Sequence, residues 1–399
     1  MKKSILIISC VFTPEPVVSA KLSEDLAIAL SSFHNVTIIA PKPTRPFGFE
    51  FNEQIKNTEF TLLNLNSYVC PSSNGLGRLI ESYSFGSACK NYIRKNHKEI
   101  DIIYMNSWPI FSQYLTALTA RKYNIPLITH VQDIYPESLS NKIPLLGLLF
   151  NKLLKPLDKF TLNNSKIVIA ISLKMRNYLV KTRKLSLEKT LVVQNWQNEE
   201  VFIEHNSKKN GLNNKSELFT FMYLGNIGPV AGIDLLIESF NKANLKKCQL
   251  VIAGSGSKKQ DLEKIVSSKK IERVKFVSVA DGKVPEIQGL ADVMLLPIKK
   301  GAASSSIPSK LPAYMFSKKA IIASVDHDSD SARVINDAGA GWVIEPENID
   351  LLAQAMKRAY LLKMKSLNIM GDKGFEYAMN HFSKNNNLKK IVNAISKLL

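Results

Sequence analysis

Short runs of Ile, Val and Leu bounded by turns recur along this chain, and most are followed by a stretch with helical apolar spacing. "SILIISCVF" precedes "LSEDLAIALSSF"; then come "NVTIIAP", "IDIIYMNS", "PLITHVQD", "KIVIAIS" and "TLVVQNW". Unbroken apolar runs, rather than alternating ones, belong to strands buried on both faces, hence to a parallel sheet with helices on each side. The polar stretch "EHNSKKNGLNNKSELFT" interrupts this rhythm and reads as a linker. A second series follows, with "FTFMYLGNIG", "CQLVIAGSGS", "VKFVSVAD", "ADVMLLPI", "AIIASVD" and "GWVIEP" as its strands. A chain of 399 residues exceeds one ordinary core. The expectation is an α/β protein of two tandem doubly wound domains, residues 1–200 and 201–373, with a helical tail over 374–399.

Composition narrows the class. Hydrophobic content of 45% and charged content of 22% are those of a soluble globular chain. Cys10, Cys70, Cys89 and Cys248 lie far apart without metal-ligand spacing and read as reduced residues of a cytoplasmic protein. The opening "MKKSILIISCVF" lacks a small-residue cleavage site and runs into a turn, so it reads as a first buried strand rather than a signal peptide. No stretch reaches the ~20 apolar residues of a membrane span. The net charge is +19, and Lys142 to Lys189 alone holds eleven Lys and Arg against Asp158 and Glu188. Within it, "IPLLGLLFNKLLKPLDKFTL" is either a basic amphipathic helix suited to an anionic bilayer or a core helix with a solvated basic face. No nucleic-acid module accompanies the charge.

Ligands of doubly wound sheets bind beyond the carboxyl ends of the strands, so polar residues there are the candidates. "YLGNIGPVAGID" joins a strand to a helix, and Gly225, Asn226 and Gly228 could line an anion-binding turn; the spacing is not the dinucleotide fingerprint. Gly254 and Gly256 in "VIAGSGSKKQ" are read as turn geometry. "GAASSSIPSKLPAYM" sets Ser304, Ser305, Ser306 and Ser309 beside Lys310 at an apparent helix start. Hydroxyls, backbone N–H groups and a point charge together suit a diphosphate; a solvated lysine is the plain alternative. In the first half, "LITHVQDIYPESL" ends a strand with His130, Gln132, Asp133 and Glu137, where His130 is either functional or a core or loop histidine held by Asp133. Ser19 and Lys21 fall at the start of the first helix. No metal-ligand cluster appears, and "DHDSD" reads as a loop.

At these residues the sequence resembles the family-four retaining glycosyltransferases of GT-B fold, in the branch that builds bacterial O-antigens, capsules and colanic acid. The pieces that carry the likeness are "FTPEPVVSAKLSEDLA", "HVQDIYPESL", "VVQNW", "YLGNIGPVAGIDLLIESF", "IPSKLPAYM" and "DAGAGWVIEPENIDLLAQAM". The resemblance implies two Rossmann-like domains facing across a cleft, with the tail helix crossing back onto the first. It implies a nucleotide sugar, a UDP-sugar in preference to a GDP-sugar, held in the second domain by Gly225, Asn226, Gly228, Ser306, Ser309, Lys310 and Asp330. His130, Lys310 and Asp133 would serve catalysis without a metal or cofactor. Ser19, Lys21, Gln132 and Glu137 would meet the acceptor, a lipid-linked saccharide. The enzyme would be cytoplasmic, peripheral on the inner face of the membrane, and would move N-acetyl-L-fucosamine or a related sugar. Two glutamates of the family pattern are absent, with Ser305 and Ala313 in their places. A sugar-nucleotide 2-epimerase and a non-catalytic relative acting as a binding partner share this architecture.

Overall fold

The structure, a computed structural model, describes residues 2–44, 59–70, 75–107, 109–140, 147–208, 217–301 and 307–399. It divides into two compact units, Met1–Asn195 with Asn387–Leu399, and Trp196–Asn386.

The strands of the first unit are β1 (Ser4–Ile8), β2 (Asn35–Pro41), β3 (Thr61–Leu65), β4 (Ile102–Ser107), β5 (Leu127–Val131), β6 (Ile167–Ala170) and β7 (Thr190–Val192). Its helices are α1 (Val18–Ser31), α2 (Gly75–Asn96), α3 (Ile110–Lys122), α4 (Glu137–Ser140), α5 (Gly147–Asn164) and α6 (Leu173–Arg183). The sheet runs β3-β2-β1-β4-β5-β6-β7, all parallel. β1 therefore has β2 on one side and β4 on the other, and the order of the chain reverses between them. Leu6, Ile8, Ile103, Met105 and Leu127 pack one sheet face against Phe85, Cys89 and Ile93 of α2 and Ala117 and Ala120 of α3.

The second unit opens with α7 (Glu200–Lys208). Its strands are β8 (Phe219–Leu224), β9 (Cys248–Ala253), β10 (Val274–Val277), β11 (Val293–Pro297), β12 (Ala320–Ser324) and β13 (Gly341–Ile344). Between them lie α8 (Ile233–Ala243), α9 (Lys259–Ser268), α10 (Val284–Gly289), α11 (Lys310–Phe316) and α12 (Asp330–Ala338). Three helices close the chain: α13 (Ile349–Leu361), α14 (Met364–His381) and α15 (Lys384–Ser396). The order β10-β9-β8-β11-β12-β13 repeats the reversal, now between β8 and β11. Both sheets are parallel with helices interleaved, which is the two-sheet α/β class that the apolar runs predict.

Two boundaries differ from the expected ones. Part of the polar stretch taken as a linker is helix: Phe202 of α7 is 1% exposed and stacks on Phe316 at 5.8 Å, so the second unit begins at Trp196. The tail does not begin at Gly374, which lies inside α14. A Cβ at Gly374 would sit 3.1 Å from the Ala340 Cβ, so this glycine serves close packing rather than ending a helix. The chain rejoins the first unit at Asn387, whose Nδ2 donates to the Gln194 carbonyl at 3.0 Å. Among the described residues no helix is long and apolar enough to cross a membrane.

Candidate functional site

In the second unit the polar groups gather at the β8–β11 reversal. β8 ends at Leu224 and turns through Gly225, Asn226 and Gly228 towards α8. That turn is fastened to the one after β9: Gly225 N–H donates to the Ala253 carbonyl at 3.0 Å and Ile227 N–H to Ser255 at 2.8 Å. A Cβ on Gly254 would strike the Gly225 carbonyl, and one on Gly256 the Ile227 carbonyl. These two glycines therefore let two turns interlock, in line with their reading as turn geometry.

Lys310 is the first residue of α11, and Tyr314 stands one helical turn later on the same face. The Tyr314 hydroxyl, fully buried, donates to the Leu224 carbonyl at 2.9 Å and accepts from Leu224 N–H at 3.0 Å. This double bond to the last residue of β8 sets the position of α11, and the Lys310 chain lies across Gly225. Its Nζ sits 5.3 Å from the centroid of Tyr223, whose hydroxyl is held by the Asn226 carbonyl at 2.6 Å. Burial pulls the Lys310 ammonium below its ordinary pKa. No ion pair to Lys310 occurs among the described residues, so an anion beside it would restore what burial removes.

Ser309 is exposed at the α11 N-cap with no side-chain capping bond, beside Lys310. Ser306, with Ser304 and Ser305, lies outside the described residues. Asp330 starts α12 but is 4% exposed, and its Oδ1 accepts from Arg333 Nη2 at 2.7 Å. An acid in the first turn of a helix pairs readily with a cation three residues on. Ala313, at the place of a missing glutamate, is 6% exposed within the apolar cluster around α11.

The first unit holds its own cavity at the β1–β4 reversal. Its volume is about 210 Å³, and Ser9, Cys10, Ser19, Asn106, Gln132 and Asp133 contribute to its walls. Asn106 is 8% exposed; its Nδ2 donates to Ser23 Oγ and, at 3.5 Å, to Ser9 Oγ. Those hydroxyls are spent on the Ser19 and Val11 carbonyls at 2.8 and 2.6 Å. Asn106 Oδ1 and Gln132 Nε2 are left buried without partners. Two unmet polar atoms at one cavity are positions that a polar ligand or a water there can satisfy. Asp133 Oδ1 accepts from Ile134 N–H at 2.9 Å.

His130 pairs with Asn106 in the β4–β5 register, yet it is fully buried and does not line the cavity. Its Nδ1 meets the Tyr104 hydroxyl at 2.6 Å, rather than Asp133, and Nε2 has no partner. Burial takes its pKa down to about 3, so the ring is neutral at physiological pH. Two acceptor candidates have partners within the first unit. Lys21 points to its own helix: its Nζ lies 2.7 Å from Glu24 and 3.7 Å from Asp25, and it is absent from the cavity wall. Glu137 is an anchor, with Oε1 and Oε2 taking Arg183 Nη1 and Nη2 at 2.7 and 2.6 Å and Tyr178 adding a bond at 2.9 Å. Arg183, 0% exposed, also reaches Asp158 Oδ2 at 2.6 Å and the Tyr135 carbonyl at 2.8 Å.

The residues missed from sequence are Tyr223, Tyr314 and Asn106. Tyr314 was signalled by its spacing of four from Lys310, and Asn106 by its place as the polar end of an apolar strand. Among the described residues no group of three His, Cys, Asp or Glu is placed to hold a metal ion.

Two parallel-sheet units, each with polar groups at its reversal point, define the class as a GT-B-type fold. Crystal structures of that fold agree: HepE of Anabaena in complex with UDP aligns over 100% of both chains with a TM-score of 0.74 at 15% identity. The sequence profile described as Glycosyltransferase Family 4 matches residues 20–200, and that described as Glycosyl transferases group 1 matches residues 202–377. Between them they span nearly the whole chain, which belongs to the group 1 and family 4 glycosyltransferases. It is 22% identical to the probable glycosyltransferase WbjE of Pseudomonas aeruginosa, over 74% of each chain. It is 24% identical to the putative colanic acid biosynthesis glycosyl transferase WcaI of Escherichia coli K12, over 60% of this chain and 59% of WcaI.

Proposed function

We propose that this chain is a retaining glycosyltransferase of bacterial surface-polysaccharide synthesis, taking its sugar from a nucleoside diphosphate, with UDP the preferred carrier. The observation that carries this reading is Lys310, half-buried without an ion pair among the described residues and lying across the glycine turn at the second reversal point. HepE, with UDP, and WcaI, named for colanic acid, support the carrier and the pathway class. The Gly225–Gly228 turn gives a diphosphate room to approach, Ser309 offers a hydroxyl, and Lys310 opposes the charge that builds as the bond from sugar to phosphate breaks. The sugar is assigned as N-acetyl-L-fucosamine or a related deoxy or N-acetyl sugar. With retention, the acceptor hydroxyl attacks from the face that the diphosphate leaves, and a phosphate oxygen takes its proton. The acceptor head belongs in the first unit's cavity, with Ser19, Asn106, Gln132 and Asp133, and His130 is the neighbour of Asn106 on the adjacent strand.

The acceptor is assigned as a polyprenyl-diphosphate-linked saccharide, which calls for work at an anionic membrane face. α5 supports this: Leu149 and Leu153 are 54% and 62% exposed, with Lys152 and Lys159 exposed beside them. Lys152→Gln with Lys159→Gln should lower sedimentation with phosphatidylglycerol vesicles, and unchanged binding would refute the membrane assignment.

The deciding experiment is calorimetric titration with UDP, GDP, ADP and CDP, repeated on Lys310→Ala. UDP binding that collapses in the variant supports the reading, whereas GDP preference moves the donor to a GDP-sugar. Ala313, apolar and buried where the family pattern has a glutamate, favours one second reading, a non-catalytic binding partner. Absence of any nucleotide binding by the folded protein would put that reading first.

A further inference from the structure

The first unit has a second cavity, of different chemistry. Its apolar wall is made by Pro41 at the end of β2, Leu79 and Phe85 of α2, Pro109 and Ile110 at the start of α3, and Tyr135, while Ser67, Ser82 and the ion-paired Arg78 and Glu81 supply its polar edge. Cys10 lines both this cavity and the polar one at the reversal point, so the two adjoin. Its volume is about 50 Å³. That is room for about four waters.

The packing that leaves this space is specific. A Cβ on Gly86 would fall 2.6 Å from Ser112 Cα, so α2 presses directly on α3 there. Ser82 Oγ accepts from Phe111 and Ser112 N–H at 2.9 and 3.2 Å, which fixes the start of α3 against α2. The cavity opens where this contact ends.

The outer side of α2 bears on the occupant. Leu76, Ile80 and Tyr83 are 71%, 57% and 59% exposed, and the same line of the helix continues to exposed Lys90 and Arg94. Spacings of four, three, seven and four keep all five on one stripe. An apolar stripe followed by cations suits a helix resting on an anionic membrane surface. A chain leaving that surface would meet the cavity about one helix diameter, ~10 Å, further in.

We propose that the cavity beneath α2 holds the head-proximal segment of the hydrocarbon chain of an amphiphilic acceptor, whose polar head occupies the adjoining cavity. This rests on the reading of the first unit as the acceptor side. A polar cavity with buried orphan atoms and a largely apolar one sharing a wall residue fit a molecule with a polar head joined directly to a hydrocarbon. Leu79, Phe85 and Ile110 select for the chain, and the remaining length lies along the outer stripe of α2.

The test is titration of the full chain with farnesyl diphosphate, inorganic diphosphate and dihexanoyl phosphatidylglycerol, each below its micelle concentration. Farnesyl diphosphate should bind at least tenfold more tightly than inorganic diphosphate, and Leu79→Trp, which fills the cavity, should abolish that advantage. Equal affinities for the two diphosphates would overturn the proposal, as would displacement of farnesyl diphosphate by the phospholipid. Should Leu79→Trp fail to fold, a photoreactive farnesyl diphosphate analogue on the native protein decides. Labelling of residues 79–85 and 109–110 supports the site, and labelling confined elsewhere refutes it. No sugar transfer is measured, so failure here and failure of the nucleotide titration are separate results.

Discussion

The side chain of Lys310 crosses Gly225 so closely that a Cβ at position 225 would collide with its Cε. Only a residue without a side chain lets the lysine lie there, and the φ of +154° adds a modest strain for any other. Gly225→Ala should therefore push the lysine chain aside while leaving both sheets intact, because the atom it displaces belongs to a flexible side chain. Its loss of UDP affinity should match that of Lys310→Ala, about 10- to 150-fold, the equivalent of about 1.5–3 kcal/mol for a hydrogen bond to a charged group. The double variant should be no worse than either single one, since both remove the same contact. Calorimetry on the three variants checks this, and additive losses would show that the two residues act separately.

Tyr314 ties α11 to the end of β8. Tyr314→Phe removes the hydroxyl and leaves the buried Leu224 N–H and carbonyl each short of a partner. The expected cost is about 1–3 kcal/mol of stability. Denaturant titration measures that cost. A weaker nucleotide affinity should accompany it, because Lys310 rides on the same short helix.

The strands were readable from sequence because parallel strands covered on both faces are apolar without interruption, as "PLITHVQD" and "CQLVIAGSGS" are. The turn at Gly225 and the place of Lys310 at a helix start were readable from local pattern. Longer-range partners were not. Glu137 reads locally as a ligand group because its partner Arg183 is 46 positions away, on a helix whose docking no local pattern reveals. Asn106 gains meaning only from the register that sets it beside His130. Lys21 is the reverse case, since Glu24 and Asp25 stand three and four residues on, the spacing at which a lysine pairs within its own helix.

Arg183 binds Glu137 and Asp158 in the interior of the first unit. Burial pushes the Asp158 carboxyl up to about 6 in spite of the guanidinium beside it. Arg183→Met would leave Asp158 without its cation and Glu137 with only Lys155, at 3.5 Å, and a broken buried pair costs about 3–5 kcal/mol. Adding Asp158→Leu and Glu137→Gln should recover most of that loss, since apolar packing replaces buried charge at little cost. Denaturant titration of the single and triple variants tests both statements. If Arg183→Met alone is neutral, the cluster is not structural.

His130 gives the protein a pH dependence whose sign is fixed by its burial. Its pKa falls from 6.5 to about 3 on folding because the ring is removed from water. Between those values the unfolded chain binds a proton that the folded one does not. The contribution is therefore fully present above pH 6.5 and is lost progressively as pH falls towards 3. Within the window the slope approaches about 1.4 kcal/mol per pH unit. His130→Leu removes this titration and leaves every other one in place. Between pH 5.5 and 4.5 the native protein should lose about 1 kcal/mol more stability than the variant does over the same interval. The comparison uses slopes because the variant also strands the Tyr104 hydroxyl, an offset that does not vary across this interval. Parallel stability curves for the two proteins would mean that His130 reaches water in the folded state, and so could meet a sugar directly.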